Sequence, residues 1–325
     1  MKWITRPEFS KFGHKLHTRY VLSKLKGVED LQPVDTDAGR QDVAIGFLTC
    51  SRHLSLMMLA AKSFYHFAGI VCPLYVWDDG SLTPSDRKSL LRLFPTARLL
   101  RRSELRFDLL APYPLLSSFA RLELEHYRSY APSLKLLGPL ASPGVPSRFI
   151  LSDSDAFFFD WPQAIHDWLD EDVPTNRHLA PWSGQDNVQE DDLRGLYSRL
   201  GIVSPPRVNS GLLLFHRSLF ELDAMEQILA WYQKHGYAWD IEQTIYRLLM
   251  ARSGNAVALD QDDYVLCHRK YNAVCHHFFT SVIFDELVVR RKIVNLMEYI
   301  ADCEKRRKPP VSVAQQAGSS GLQVS

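Results

Sequence analysis

Continuous apolar runs alternate with segments of helical periodicity through the first half of the chain. Val43–Cys50 (VAIGFLTC) is apolar throughout and stops at Ser51-Arg52-His53, the pattern of a strand covered on both faces. Leu54–Phe67 then spaces its apolar residues as a helix does. Cys72–Ser81 (CPLYVWDDGS) predicts a second strand that ends in an acidic turn, and Ser85–Phe94 a second helix. Ala97–Leu105 (ARLLRRSEL) predicts a third, short strand, Ser117–Tyr127 (SSFARLELEHY) a helix, and Arg148–Pro162 (RFILSDSDAFFFDWP) the next strand. Strand–helix alternation of this kind predicts an α/β fold with a mostly parallel sheet and helices on both faces. Ligands in such sheets bind beyond the carboxyl ends of the strands.

Outside this region the pattern changes. Met1–Lys26 is basic, with Lys2, Arg6, Lys11, Lys15, Arg19, Lys24 and Lys26 against Glu8 alone. Phe12, Leu16 and Tyr20 recur at helical spacing, so the segment predicts either a helix packed on the domain or a basic amphipathic helix with a weak affinity for anionic membrane surfaces. Asp30–Asp42 is polar and reads as a linker. Lys305–Ser325 is poor in large apolar residues and predicts disorder. The expected organisation is a helical extension and linker over 1–40, one domain over 41–304 with halves at 41–160 and 161–304, and a tail over 305–325.

Composition narrows the class. The chain has 325 residues, 46% of them hydrophobic, enough for the large core this pattern needs. A net charge of +1 argues against nucleic acid as a partner. No apolar run reaches the length of a membrane span, and the five cysteines are odd in number with no C-x-x-C, as expected of a reduced cytoplasmic protein.

The chemistry centres on Asp153 and Asp155. Alternation along a strand points both side chains the same way, and two carboxylates held close repel unless a cation or proton lies between them. A divalent metal, Mn²⁺ or Mg²⁺, is one solution, since hard cations take carboxylate and phosphate oxygens. A solvated acidic turn is the other. The flanks decide the reading. A hydrophobic strand, D-S-D, an aromatic run and FDWP resemble the nucleotide-sugar glycosyltransferases of GT-A fold, a Rossmann-like mixed sheet flanked by helices. Three further segments match in order: RVNSGLLLFHRSLF (Arg207–Phe220), WDIEQTIYRLL (Trp239–Leu249) and CHHFFTS (Cys275–Ser281). These resemble the acceptor-half strand, the helix start and the late histidine segment of retaining members related to glycogenin and bacterial lipopolysaccharide galactosyltransferases. Thr280 stands where that class usually has Gly, and no K-P-W follows; Arg290, Arg291 and Lys292 come later and could serve the diphosphate instead.

The resemblance implies a glycosyltransferase that uses a nucleotide sugar, with a saccharide, lipid-linked or protein acceptor. It implies that Asp153 and Asp155 hold metal and nucleotide, with His277 as third ligand; His276, next to it, is the alternative. Asn209 is implied as a substrate contact, or else part of a tight turn. Asp240, Glu242 and Gln243 are placed near the transferred sugar, although Asp240 is also a good helix N-cap. Arg121 and Lys135 are candidates for the diphosphate or base, or plain surface cations. Asp78 and Asp79 are candidates for the nucleoside, or simply form the D-G turn. Zinc held by Cys267, His268, Cys275 and one of the two histidines is a weaker arrangement. The competing functions are a phosphatase of haloacid-dehalogenase type, which also ends a strand in D-x-D, and a catalytically inactive glycosyltransferase-like binding protein.

Overall fold

The structure, a computed structural model, describes residues 23–124, 130–180, 190–236, 241–266, 273–278 and 287–306. In chain order the strands are β1 (Val43–Thr49), β2 (Leu74–Asp78), β3 (Arg98–Arg101), β4 (Arg148–Ser152), β5 (Ala156–Phe158), β6 (Asn176–Leu179), β7 (Asn209–His216), β8 (Ala256–Ala258), β9 (Tyr264–Leu266) and β10 (Cys275–His277). The helices are α1 (Leu54–Ala68), α2 (Pro84–Leu93), α3 (Pro114–Ala120), α4 (Ser133–Ala141), α5 (Gln163–Leu169), α6 (Glu190–Leu200), α7 (Leu222–His235), α8 (Ile241–Ser253) and α9 (Leu287–Arg306).

Seven strands form one sheet in the order β3-β2-β1-β4-β7-β6-β8, and β5-β10-β9 form a smaller one. The first four strands run parallel, as the alternation predicts. The other half departs from it: β7 is antiparallel to both β4 and β6, so the large sheet is mixed. That reversal matters for function, because it brings the start of β7 to the same edge as the carboxyl ends of β1, β2 and β4.

The period of two is visible in the core. Ile45, Phe47, Val76, Ile150, Leu212 and Leu214 join the core on one face, with α1 and α9. Tyr75, Trp77, Phe149, Leu151, Leu213 and Phe215 join the core on the other, with α4, α7 and α8. Each fully buried large side chain of this kind contributes about 1.5–3 kcal/mol, so the strand ends are a stiff platform.

Local signals set the helix bounds. Thr83 caps α2 by accepting from Asp86 N–H, Asp86 returns the bond, and Pro84 takes the first helical position. α1 stops at Gly69, which takes the left-handed conformation with φ 62°.

Three expectations need correction. The helix over Ser117–Tyr127 is instead Pro114–Ala120; Leu122 turns to φ 59°, which breaks it, and residues 125–129 lie outside the described ones. The helix before the D-x-D strand is α4, and it carries Lys135 rather than Arg121. The segment expected to be a linker packs on the domain: Thr36 is fully buried and bonds Thr96, and Gln32 bonds Glu304 at the end of α9. Among the described residues no helix is long and apolar enough to cross a membrane. The basic helix expected near the N-terminus falls mostly on residues 1–22, and the tail mostly on 307–325; both lie outside the described residues.

Candidate metal and donor site

β4 ends at Ser152, and the next three residues turn sharply, with Ala156 N–H donating to Asp153 O at 3.1 Å. Asp153 N–H donates to Gly211 O at 2.9 Å, which pins the turn to the start of β7. Ser154 turns the other way and donates to Leu48 O of β1 at 2.8 Å. The two acids flanking it therefore share a side.

The small sheet supplies the third group. β10 pairs antiparallel with β5 so that His277 lies opposite Ala156, the residue after Asp155. Its Nε2 stands 3.3 Å from Asp153 Oδ2 and 3.2 Å from Asp155 Oδ1. One ligand atom from each of the three residues lies within 4.8 Å of the others. His276, the neighbour on the strand, points to the opposite face and meets Lys292 Nζ at 2.8 Å. The alternation of a strand explains why one of the pair reaches the acids and the other does not. It also corrects the expected diphosphate role of Lys292, which stands behind β10; Arg291 lines the same rear face, and the side chain of Arg290 is not among those described.

Gly211 makes this possible. A Cβ built there would sit 2.2 Å from His277 Nδ1 and 2.3 Å from Cε1. What approaches the bare backbone of this glycine is the imidazole of His277. The residues thus fit a divalent cation: two carboxylates and one imidazole converge, and the ring is seated on bare backbone.

Electrostatics bind the cluster together. Lys135, buried on α4, donates to Asp153 Oδ1 at 2.7 Å and to Ser210 Oγ at 3.0 Å, and pairs with Glu242 Oε1 at 3.4 Å. α4 can approach so closely because Gly138 lies against Trp77, where a Cβ would be 2.1 Å from the ring. Burial works against the charge on Lys135, but Asp153 and Glu242 outweigh it and raise its pKa. Burial likewise opposes ionisation of Asp153, and Lys135 and His277 overcome it and lower its pKa. Glu242 goes the other way: burial raises it, and Lys135 only partly offsets this. Burial disfavours a proton on His277, yet its bonds to Asp153 and Asp155 hold that pKa up to about 9. One oxygen of Asp153 is thus held by a fixed cation, while the other faces the histidine.

The remaining expected residues fall as follows. Asn209 is buried at the start of β7, its Oδ1 accepting from Gly211 N–H at 2.9 Å. Gln243, half-buried on the first turn of α8, accepts from Ser210 N–H through Oε1 at 3.2 Å. Asp240 lies outside the described residues. Arg121 is exposed at the end of α3. Asp78 is engaged by its own turn, accepting from Gly80 and Leu82 N–H and pairing with Arg87. Asp79 accepts from Ser81 N–H at 2.9 Å and is exposed. Two members of the zinc arrangement, Cys267 and His268, lie outside the described residues, and burial pushes the Cys275 thiol up.

Two residues in or near the cluster carried no clear signal in sequence. Ser210 was only a spacer in N-S-G, yet it joins Lys135 to Gln243. His53, just past β1, is half-buried; burial lowers its pKa, while Asp155 and Asp79 pull the other way. A polar residue directly after a buried strand was the available clue.

No protein-family model and no curated protein sequence matches the chain. Its fold does match solved structures. The galactosyltransferase LgtC, solved with donor and acceptor sugar analogs, aligns with a TM-score of 0.50 at 14% identity, over 79% of this chain and 95% of that one. Mouse xyloside xylosyltransferase 1 in its apo form gives 0.48 at 16% identity, over 77% and 99%. Core-mannan synthase A of Aspergillus fumigatus, with Mn and GDP, gives 0.43 at 10%, over 71% and 77%. The chain has the GT-A fold of nucleotide-sugar glycosyltransferases, with Asp153-x-Asp155 at the end of a central strand.

Proposed function

We propose that the protein is a metal-dependent glycosyltransferase that moves a sugar from a nucleoside-diphosphate sugar to a hydroxyl acceptor. The observation that carries this reading is the convergence of Asp153, Asp155 and His277 at the carboxyl edge of a GT-A sheet. In it, these three side chains would hold Mn²⁺ or Mg²⁺. A mixed oxygen and nitrogen set suits Mn²⁺ better than Mg²⁺. Bound there, the metal would supply charge stabilisation for the departing diphosphate.

The chain's own groups have separate tasks. Lys135 neutralises Asp153 and keeps its second oxygen aimed at the site. By offsetting the charge of Asp153 it limits the repulsion this acid would exert on the leaving group as negative charge develops there. Glu242 and Gln243 stand on the far side of Lys135 and Ser210. A carboxylate or amide there would stabilise an oxocarbenium-like sugar. Retention of anomeric configuration is the stereochemistry we assign, from the resemblance of the Glu242-Gln243 helix start to retaining enzymes. Proton NMR of the new anomeric centre tests it: a β-linked product from an α-linked donor would reverse the assignment.

The decisive experiment is calorimetric titration of a nucleoside diphosphate with and without Mn²⁺. The expected result is metal-dependent binding to the wild type and none to Asp155→Ala, with the variant still folded. Equal metal-dependent binding in both proteins would remove Asp155 from the metal site, and no metal-dependent binding to the wild type would remove the donor reading. Release of phosphate from monoesters would instead indicate a phosphatase.

A further inference from the structure

The reading above uses one face of β10 and leaves the other unexplained. On that rear face Lys292 donates to His276 Nε2 at 2.8 Å and stands 4.3 Å from the centroid of the Phe159 ring. Around it opens a groove of about 610 Å³ between the end of α1, the segment after β5, and α9. That volume lies within the range of small-molecule sites, about 300–1,000 Å³. Aromatic rings form one part of its wall: Phe67 and Tyr299 stack with centroids 6.0 Å apart and planes 7° apart, and Phe159 lies beside Lys292. Arg291, Asp160 and Asn295 supply the polar part, and Tyr299 is 53% exposed.

We infer that this groove binds an acidic saccharide. The wall asks for a ligand with two characters at once. Aromatic side chains take the apolar face of a ring. Arg291 and Lys292 take an anion, the arginine by a paired bond to carboxylate or phosphate. Asp160 accepts from hydroxyls, and Asn295 can both donate and accept. An apolar ligand would leave two cations desolvated, at a cost. A bare inorganic anion would leave the aromatic wall uncovered. A hydroxylated ring bearing one acid satisfies every group. The choice of a saccharide over another ring-bearing acid rests on the transferase reading; the groove itself is separate from the metal site and is tested without turnover.

The test is ligand-observed NMR and calorimetry with glucuronic acid, glucose 6-phosphate and neutral glucose. At least one acidic sugar is expected to bind saturably, with a Kd of about 0.1–10 mM, and glucose at least about tenfold more weakly. The comparison of carboxylate with phosphate identifies which acid the groove takes. Arg291→Ala and Tyr299→Ala, both at exposed positions, are each expected to weaken the acidic sugar about tenfold, while Asp155→Ala leaves it bound. The inference is overturned if neither acid binds, if glucose binds equally well, or if binding is lost in Asp155→Ala and kept in the groove variants. Should acidic sugars bind here while Mn²⁺-dependent nucleoside-diphosphate binding is absent, the transferase reading falls and the groove stands.

Discussion

Gly211→Ala should damage metal binding without replacing a ligand. The added Cβ would lie 2.2 Å from His277 Nδ1, 2.3 Å from Cε1 and 2.8 Å from Cγ. Carbon and nitrogen atoms are comfortable at about 3.5 Å, so the ring must retreat by about 1.3 Å. It has little freedom to do so. β10 is paired on both sides, with β5 and β9, and His277 is only 3% exposed. Retreat also moves Nε2 away from Asp153 and Asp155, which it meets at 3.3 and 3.2 Å. Overpacking of this kind costs about 1–3 kcal/mol of stability. Disturbing the support of a metal ligand costs about 10–100-fold in affinity. The expected outcome is a folded protein with a lowered unfolding midpoint and Mn²⁺ affinity down by that factor in calorimetry. Gly211→Ala with wild-type Mn²⁺ affinity would refute the seating of His277 on β7. Complete unfolding would be resolved by pairing it with His277→Ala, which removes the clash and should restore stability while leaving metal affinity low.

Three more expectations follow from the same cluster. His277→Ala should weaken Mn²⁺ binding about 10–100-fold and His276→Ala much less, because only His277 faces the acids; calorimetry showing the reverse order would mean β10 is out of register by one residue. Lys135→Met should destabilise the fold by about 3–5 kcal/mol in urea denaturation, since it leaves Asp153 and Glu242 without their shared cation, and adding Glu242→Gln should recover part of the loss. Metal needs neutral His277, whose pKa is held up to about 9 from 6.5, so Mn²⁺ affinity should rise with pH until about 9. The metal-free protein should behave oppositely. The stabilisation from protonated His277 is complete below 6.5 and is lost as pH rises through about 9, a trend that His277→Ala should flatten in thermal melts.

Much of the frame was written in local pattern. Val43–Cys50, Cys72–Ser81 and the stretch after Arg148 are buried strands because their runs are apolar, and observed bounds differ by a few residues at the ends. Strand alternation predicted that Asp153 and Asp155 share a side; they do share one, but in the turn after β4, where Ser154 bonds Leu48. Capping at Thr83 and termination at Gly69 were equally local, set by side-chain bonds and a permitted φ. Other features were not recoverable that way. Nothing near Lys135 in sequence announces that its charge sits on Asp153, and nothing near Gly211 announces a histidine 66 positions later lying against it. Choosing His277 over His276 required the pairing of β10 with β5. The polar stretch Asp30–Asp42 read as a linker because its composition is that of one, whereas Thr96 and Glu304 supply partners for it from distant parts of the chain. The physical reason is the range of each interaction. Side-chain period and backbone conformation are decided within a few residues. The meeting of residues 135, 153, 211, 242 and 277 depends on the reversed direction of β7, on the register of β10 and on the close packing of α4, which only the assembled sheet decides.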